Sequence, residues 1–209
     1  MPDAAYRLSF TTGGLLRAEA VAVADVLLSL GDACAARGRA VEQNLVQQRT
    51  TASTVRVTRE VFQRLAALPP TGVELVARGS VDDTRHVMWL AACLRYRFLR
   101  DFGREVVRER YTSGWSLLAY EDFDTFWNVQ ASWVDALRDA AESTRVKLRQ
   151  NTFRMLREAG LLSTDHRVLP IVPSPTTVEV VTATSLELLL SFPIDNAQAA
   201  TLAAIQNGA

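Results

Sequence analysis

The sequence is short of the residue types that most often carry catalysis. Its 209 residues include two cysteines and two histidines. It contains no phosphate-binding, dinucleotide-binding, nucleophile-elbow or zinc-protease motif. Neither Cys34 nor Cys93 has a second cysteine or a histidine at the spacing of metal ligands. We therefore expect no metal, no cofactor and no enzymatic activity.

The same few residues have ordinary structural interpretations. Cys34 and Cys93 lie in apolar helical segments, which predicts reduced cysteines in a protein core. His86 lies on an apolar helix and is predicted to be a core or boundary residue. His166 is predicted to be exposed in a turn without an obvious partner. The pair Gly13-Gly14, which precedes a predicted helix, could bind an anion there, but a simple turn is favoured.

The sequence also lacks an excess of charge and a long apolar run. Twenty-three basic residues balance 23 acidic ones, so any surface for nucleic acid must come from local clustering. The richest apolar run, residues 87–94, is far shorter than the roughly 20 residues that span a membrane. The polar residues 9–14 interrupt any apolar leader. We expect a cytoplasmic protein with no membrane partner.

Helical periodicity is present along most of the chain. The predicted helices are 15–30, 32–47, 52–68, 82–102, 104–111, 134–141, 144–159, 185–190 and a small-residue helix or tail after Pro193. A short hairpin is predicted between 161–162 and 168–172. The predicted fold is all-α (mainly helical) with a small β wing. Its predicted units are a helix-turn-helix-like N-terminal unit (1–70), a central helical hub (71–130) and a C-terminal winged helix (131–209).

An aromatic segment lies in the predicted hub. Its members are Trp115, Tyr120, Phe123, Phe126, Trp127 and Trp133. The interleaved Glu121, Asp122 and Asp124 would repel a phosphate backbone. Core packing is therefore favoured over base stacking.

The predicted helix 144–159 carries most of the local positive charge. Its predicted buried stripe is Leu148, Thr152, Met155, Leu156 and Ala159, with Phe153 at the edge. The opposite arc holds Lys147, Gln150, Arg154 and Arg157, with Asn151 beside them. A short helix, a turn, this basic helix, Gly160 and a hairpin follow one another in the order of a winged helix-turn-helix. An ordinary solvated cationic face remains the alternative.

A second helix, 52–65, repeats the pattern. Its apolar stripe is Val57, Val61, Leu65 and Leu68. The opposite residues Arg56, Arg59 and Gln63 have the same i, i+3, i+7 spacing as Lys147, Gln150 and Arg154. The sequence thus predicts two cationic helices, one at each end of the molecule, that hold a duplex. The predicted DNA-binding residues are Arg49, Arg56, Arg59, Gln63, Arg145, Lys147, Arg149, Gln150, Arg154, Arg157 and Arg167.

These segments together resemble a known family. They are RLSFTTGGLLRAEAVAVADVL, NLVQQRTTASTVRVTREVFQRLAAL, CLRYRFLRDFGREVV and TRVKLRQNTFRMLREAGLL, in that order. The chain resembles the BrxA family of BREX bacteriophage-defence systems over nearly its whole length. The resemblance implies a helical bacterial cytosolic protein that binds double-stranded DNA. It also implies action beside the BREX methyltransferase, phosphatase-like and ATPase proteins, and it supplies no catalytic residues.

Two other functions remain open at this stage. The basic faces could dock acidic surfaces of other defence proteins, which would make the chain an interaction adaptor. A membrane-associated role is the weakest alternative. The predicted function is non-catalytic binding of double-stranded DNA in phage defence.

Overall fold

The protein is mainly helical, as the sequence predicts. The computed structural model describes residues 6–207. The α-helices are α1 (Arg17–Leu30), α2 (Ala33–Glu42), α3 (Thr51–Leu65), α4 (Pro70–Arg78), α5 (Val81–Arg95), α6 (Arg97–Phe102), α7 (Arg108–Thr112), α8 (Tyr120–Ala131), α9 (Asp135–Arg138), α10 (Glu142–Glu158), α11 (Pro175–Thr184) and α12 (Asn196–Asn207). A π-helical turn, Gly103–Val107, joins α6 to α7, and a 3₁₀ helix, Leu186–Ser191, follows α11.

Short polar side chains fix where the N-terminal helices begin. The Asp32 carboxylate accepts a hydrogen bond from the backbone N–H of Ala35 at the start of α2, and the Thr50 hydroxyl accepts one from Ser53 at the start of α3. Such caps satisfy N–H groups that have no partner within the helix. α1 then packs across α2, α3 and α4.

Two of the helices that are absent from the sequence prediction begin with proline. Pro70 opens α4 and Pro175 opens α11. We had interpreted these prolines only as residues that end or limit regular structure. Proline is nevertheless favoured at the first position of a helix, because the N–H that it lacks would have no partner there. The predicted helix 82–102 is also divided, since Tyr96 has an extended backbone between α5 and α6.

The predicted apolar stripes of the two cationic helices are confirmed. Leu148, Phe153, Met155 and Leu156 of α10 are fully buried, and Thr152 and Ala159 are buried with them. The α3 stripe is buried as well, through Val57, Val61, Leu65 and the following Leu68. All of these apolar residues belong to one contiguous hydrophobic core that extends from Tyr6 to Ile194.

The aromatic segment divides between core and surface. Phe123, Phe126 and Trp127 are buried and pack around Phe98 with ring-centroid distances of 5.2–5.6 Å. Core packing is therefore confirmed for these three. Trp115 and Trp133 are instead 73% and 81% exposed, and Tyr120 is also exposed.

The β structure of the described residues consists of isolated antiparallel bridges. Leu162 pairs with Val168, and Leu117 pairs with Arg167. Backbone hydrogen bonds from Leu118 to the His166 carbonyl and from Val168 to the Ser116 carbonyl support them. The predicted hairpin is thus reduced to these bridges. The winged-helix and helix-turn-helix units stay predictions.

Two predictions about single residues are wrong. Cys34 is exposed on the first turn of α2, although Cys93 is buried as predicted. His166 has partners, because its ring lies 5.4 Å from that of Tyr120 and 5.2 Å from that of Phe153. His86 is buried as predicted. Among the helices of residues 6–207, none is long and apolar enough to span a membrane.

Candidate nucleic-acid interface

The loop at residues 10–16, before α1, connects the two cationic helices. From α10, the Asn151 amide donates to the Phe10 carbonyl at 3.1 Å, and Glu158 Oε2 accepts from the Leu15 N–H at 2.5 Å. From α3, Arg64 Nη1 donates to the carbonyls of Gly14 at 2.9 Å and Leu15 at 3.0 Å. The loop is therefore held from both sides, and it fixes α3 beside α10.

Gly14 allows α10 to approach this loop. A Cβ atom at this position would lie 2.2 Å from Glu158 Oε2 and 2.8 Å from Arg154 Nε. Gly13 has a φ angle of +67°, in the left-handed region that favours glycine. Gly13 thus provides the left-handed turn of the loop, and Gly14 leaves room for the Glu158 and Arg154 side chains.

A buried polar network supports the loop from beneath. Arg64 is fully buried, and its Nε donates to Glu60 Oε1 at 2.8 Å. The Tyr96 hydroxyl donates to the same carboxylate oxygen at 2.6 Å. Burial raises the pKa of Tyr96, and the hydrogen bond to Glu60 raises it further. The sequence analysis missed this network. The available signal was a cation, Arg64, within the helical arc of Val57 and Val61.

A cleft of about 630 Å³ lies over the loop, and both cationic helices line it. We call it the first cleft. Its charged lining residues are Arg17, Glu19, Arg56, Arg85, Lys147, Arg154 and Glu158. Five cations and two carboxylates leave an excess of three positive charges. The whole chain has no net charge, so the structure concentrates positive charge here.

Only some cations of the first cleft form an ion pair with a carboxylate. Arg154 pairs with Glu158 at 2.7 Å, and Arg85 pairs with Asp82 at 3.1 Å. Arg17, Arg56 and Lys147 have no ion-pair partner among residues 6–207. These three are available to an anion without breaking an existing pair.

The structure brings together some of the predicted residues from the two helices. Arg56 of α3 and Lys147 and Arg154 of α10 line the first cleft together. The sequence analysis had placed the two helices at opposite ends of the molecule, whereas they share one cleft. Arg49, Arg59 and Gln150 are exposed but do not line it.

Other predicted residues have internal partners that the sequence did not reveal. Arg145 and Arg149 both donate to the carboxylate of Asp124 on α8. The Arg149 guanidinium also lies 5.0 Å from the centre of the Tyr120 ring. Both cations had been predicted as free groups for phosphates, whereas in the structure they share one carboxylate.

The remaining three predicted residues also have partners. Arg157 Nη1 lies 3.4 Å from His166 Nε2, and Arg167 pairs with Asp165 at 3.1 Å. Gln63 accepts a hydrogen bond from Arg95 and faces a different cleft.

Two cations of the first cleft were absent from the prediction. Arg17 begins α1 and Arg85 lies on the first turns of α5. Neither belongs to a cationic stripe, so helical periodicity gave no signal for them. They line the cleft because the tertiary fold places α1 and α5 beside α3 and α10.

The fold and the cleft define a small helical protein with a cationic cleft between two helices. The BrxA family profile matches residues 4–205, and the chain belongs to the BrxA family. A "BREX protein BrxA" from Escherichia coli O9:H4 (strain HS) is 25% identical over 165 residues, which cover 79% of this chain and 78% of the relative. A "BREX protein BrxA" from Bacillus cereus (strain H3081.97) is 23% identical over 124 residues, 59% of this chain and 62% of the relative.

A solved structure shares the fold. The crystal structure of an uncharacterized protein from Magnetospirillum magneticum superposes with a TM-score of 0.72. The alignment covers 90% of this chain and 97% of that one, at 21% sequence identity. Similarity at this level supports the architecture of the helices.

Proposed function

We propose that the chain is a non-catalytic component of BREX phage defence that binds double-stranded DNA at the first cleft. The observation that carries the proposal is the convergence of Arg56 from α3 with Lys147 and Arg154 from α10. A cleft with an excess of positive charge concentrates the electrostatic field and attracts a negatively charged partner. The phosphate backbone of a DNA duplex is such a partner, with one negative charge per about 1.7 Å of helix axis.

The rigidity of the cleft favours phosphate binding. The Gly13-Gly14 loop joins its two walls through Arg64 and Glu158. The cations therefore need little rearrangement before a backbone enters, which limits the entropy lost on binding. We propose that α10, Gly160 and the bridged segments act as the winged helix, with α2 and α3 as a helix-turn-helix pair.

A second candidate function is favoured by exposed aromatic side chains. Trp115 and Trp133 are 73% and 81% exposed. Exposed tryptophans are common anchors of protein interfaces. We therefore retain an adaptor function, in which the chain docks another BREX protein in the cytoplasm, as the alternative to DNA binding.

The test is a titration of a random-sequence duplex of about 20 base pairs between 50 and 200 mM salt. About five phosphate contacts predict a slope of log K against log [salt] of about −4.5 or steeper. The double variant Arg56→Gln with Lys147→Gln should reduce the steepness by about 1.8. Arg104 and Arg138 are exposed and lie outside the cleft, so the double variant with glutamine at both serves as the control.

The two functions give opposite results. A slope near zero for the wild-type protein would exclude phosphate binding and favour the adaptor. Equal effects of the cleft variant and the control would show that binding depends on charge in general and would exclude this cleft as its site.

A further inference from the structure

A second cationic cleft lies further along α3, and the function proposed above does not use it. It has a volume of about 400 Å³. We call it the second cleft. Its lining residues are Arg7, Gln63, Ala66, Ala67, Leu94, Arg95, Arg97 and Arg100. Four of these eight are arginines, and none is acidic.

Each of two carboxylates beneath the second cleft is shared by two arginines. Asp101 pairs with both Arg97 at 3.1 Å and Arg100 at 3.4 Å. Its side chain is 9% exposed, and it also accepts a hydrogen bond from the Tyr6 hydroxyl at 2.9 Å. One buried carboxylate is thus shared by two guanidinium groups whose side chains are 40% and 42% exposed.

The same sharing occurs at the α3 side of the cleft. Glu60 is paired at 2.8 Å with the buried Arg64, and Arg95 lies 3.9 Å from its second oxygen. Arg7 adds a further charge, because it is exposed and has no ion-pair partner within the described residues. The second cleft is therefore a cationic surface, with four arginines and no acidic residue among its described lining residues.

The two clefts open along one face of α3. Arg56 lines the first cleft and Gln63 lines the second. Residues seven apart lie on the same face of a helix, and these two are roughly 10 Å apart along its axis at about 1.5 Å per residue. Arg59 lies between them on the exposed face. The exposed face of α3 therefore connects two clefts with matching charge.

We propose that the second cleft binds phosphates of the same duplex as the first, a few base pairs further along. The inference rests on the proposed function and extends its surface to Arg7, Arg95, Arg97 and Arg100. Phosphates of one strand recur about every 3.4 Å of duplex axis. A spacing of roughly 10 Å therefore corresponds to about three base pairs, within the reach of one rigid duplex. α3, with Arg59 at its centre, then faces the DNA between the two phosphate contacts.

The first experiment removes charge from the second cleft. The double variant Arg7→Gln with Arg100→Gln should reduce the steepness of the salt slope by about 1.8, from two lost contacts. The ratio of duplex affinity at 50 mM to that at 200 mM salt should then fall about tenfold. The control is the double variant Arg104→Gln with Arg138→Gln. Thermal unfolding of each variant checks that the fold is intact, and the single variant Arg7→Gln avoids the Asp101 pairs altogether.

The second experiment adds charge, so loss of structure cannot imitate its expected result. Ala66 is exposed at the end of α3 and lines the second cleft. Ala66→Lys should steepen the slope by about 0.9 and raise the affinity ratio between 50 and 200 mM salt three- to fourfold. Ala136, exposed on α9, provides the matched control Ala136→Lys.

The outcomes separate this inference from the proposed function. Absence of salt-dependent duplex binding by the wild-type protein overturns both. If Arg56→Gln with Lys147→Gln weakens binding while the second-cleft variants leave the slope unchanged, only the inference is overturned. An equal gain from Ala136→Lys and Ala66→Lys also overturns it, because the gain would then reflect net charge alone.

Discussion

Helices α3 and α10 each carry two cations and one glutamine in a triad of the same spacing, yet they differ in how much of their positive charge is available. On α3, Arg56 and Arg59 are exposed and have no ion-pair partner in the described part of the chain. On α10, Arg145 and Arg149 both pair with Asp124, and Arg154 pairs with Glu158. Of the four α10 cations from Arg145 to Arg154, Lys147 alone lacks such a partner within residues 6–207.

The buried faces of the two helices also differ in charge. α10 buries an apolar stripe, with Thr152 as its buried polar member. α3 buries Glu60 and Arg64 among its valines, and Arg64 reaches the loop before α1. α3 therefore buries an ion pair in the core, and the cations on its exposed face have no ion-pair partner in the described part of the chain. α10 pairs most of its outer cations with carboxylates, and its buried residues carry no charge. The number of cations in a segment does not give the charge that a ligand meets.

The largest effect is expected from breaking the buried pair on α3. Glu60→Ala would leave the fully buried Arg64 without its carboxylate. An uncompensated buried charge typically costs about 3–5 kcal/mol. The free energy of unfolding, measured by urea titration, should fall by that amount.

The control for this change is Glu74→Ala. Glu74 is exposed on α4, so its removal should change stability by less than about 0.5 kcal/mol. A loss of that small size for Glu60→Ala would mean that water reaches Arg64, and α3 would then resemble α10 in having no buried charge.

A smaller loss of stability is expected on the α10 side. Asp124→Ala removes the shared acceptor of Arg145 and Arg149, whose side chains are each 22% exposed. Loss of hydrogen bonds between charged groups at this burial should cost about 1–3 kcal/mol. The melting temperature of the variant provides the measurement.

Asp135→Ala is the matched change in an exposed pair. Asp135 and Arg138 are 79% and 57% exposed, and such pairs contribute about 0–1 kcal/mol. Equal losses from the two variants would show that the α10 pairs are also ordinary surface contacts.

Local sequence signals were sufficient for the helical class and for the buried stripes. Periodicity identified Val57, Val61 and Leu148 as core residues because each lies within a continuous apolar arc. It failed at Pro70 and Pro175, where the position of proline within the helix decides its effect.

The candidate site was only partly predictable. Arg56, Lys147 and Arg154 stand out from α3 and α10 individually, and the structure shows that they share a cleft. The pairing of Arg149 with Asp124 joins residues 25 positions apart. The contribution of Arg17 depends on where α1 packs. No local pattern encodes either, because both arise from tertiary packing.

DNA binding should show whether the cations of α3 are more available to phosphates than those of α10. Arg56→Gln with Arg59→Gln should reduce the steepness of the salt slope by about 1.8, a roughly tenfold change in the affinity ratio between 50 and 200 mM salt. Arg145→Gln with Arg149→Gln should change the slope much less, since Asp124 already binds both guanidinium groups and their side chains are only 22% exposed. Fluorescence anisotropy of a labelled duplex gives both slopes.

Equal changes of the salt slope in the two double variants would contradict the expected difference between α3 and α10. The pairs with Asp124 would then have to open when DNA binds, and α10 would supply as much charge as α3. A change confined to the α10 variant would reverse the comparison and assign phosphate binding to α10 alone.

The smallest effect is expected from making α10 resemble α3. Glu158→Gln removes the negative charge beside Arg154, while the amide oxygen can still accept the hydrogen bond from the Leu15 N–H. One additional free cation in the first cleft should steepen the salt slope by about 0.9 and raise the affinity ratio between 50 and 200 mM salt three- to fourfold. The control is Glu142→Gln, an equal change of charge at an exposed position on the first turn of α10. Weaker binding by Glu158→Gln at an unchanged melting temperature would mean that the ion pair orients Arg154 toward the phosphate. An arginine of α10 that is paired with a carboxylate would then still be able to bind DNA.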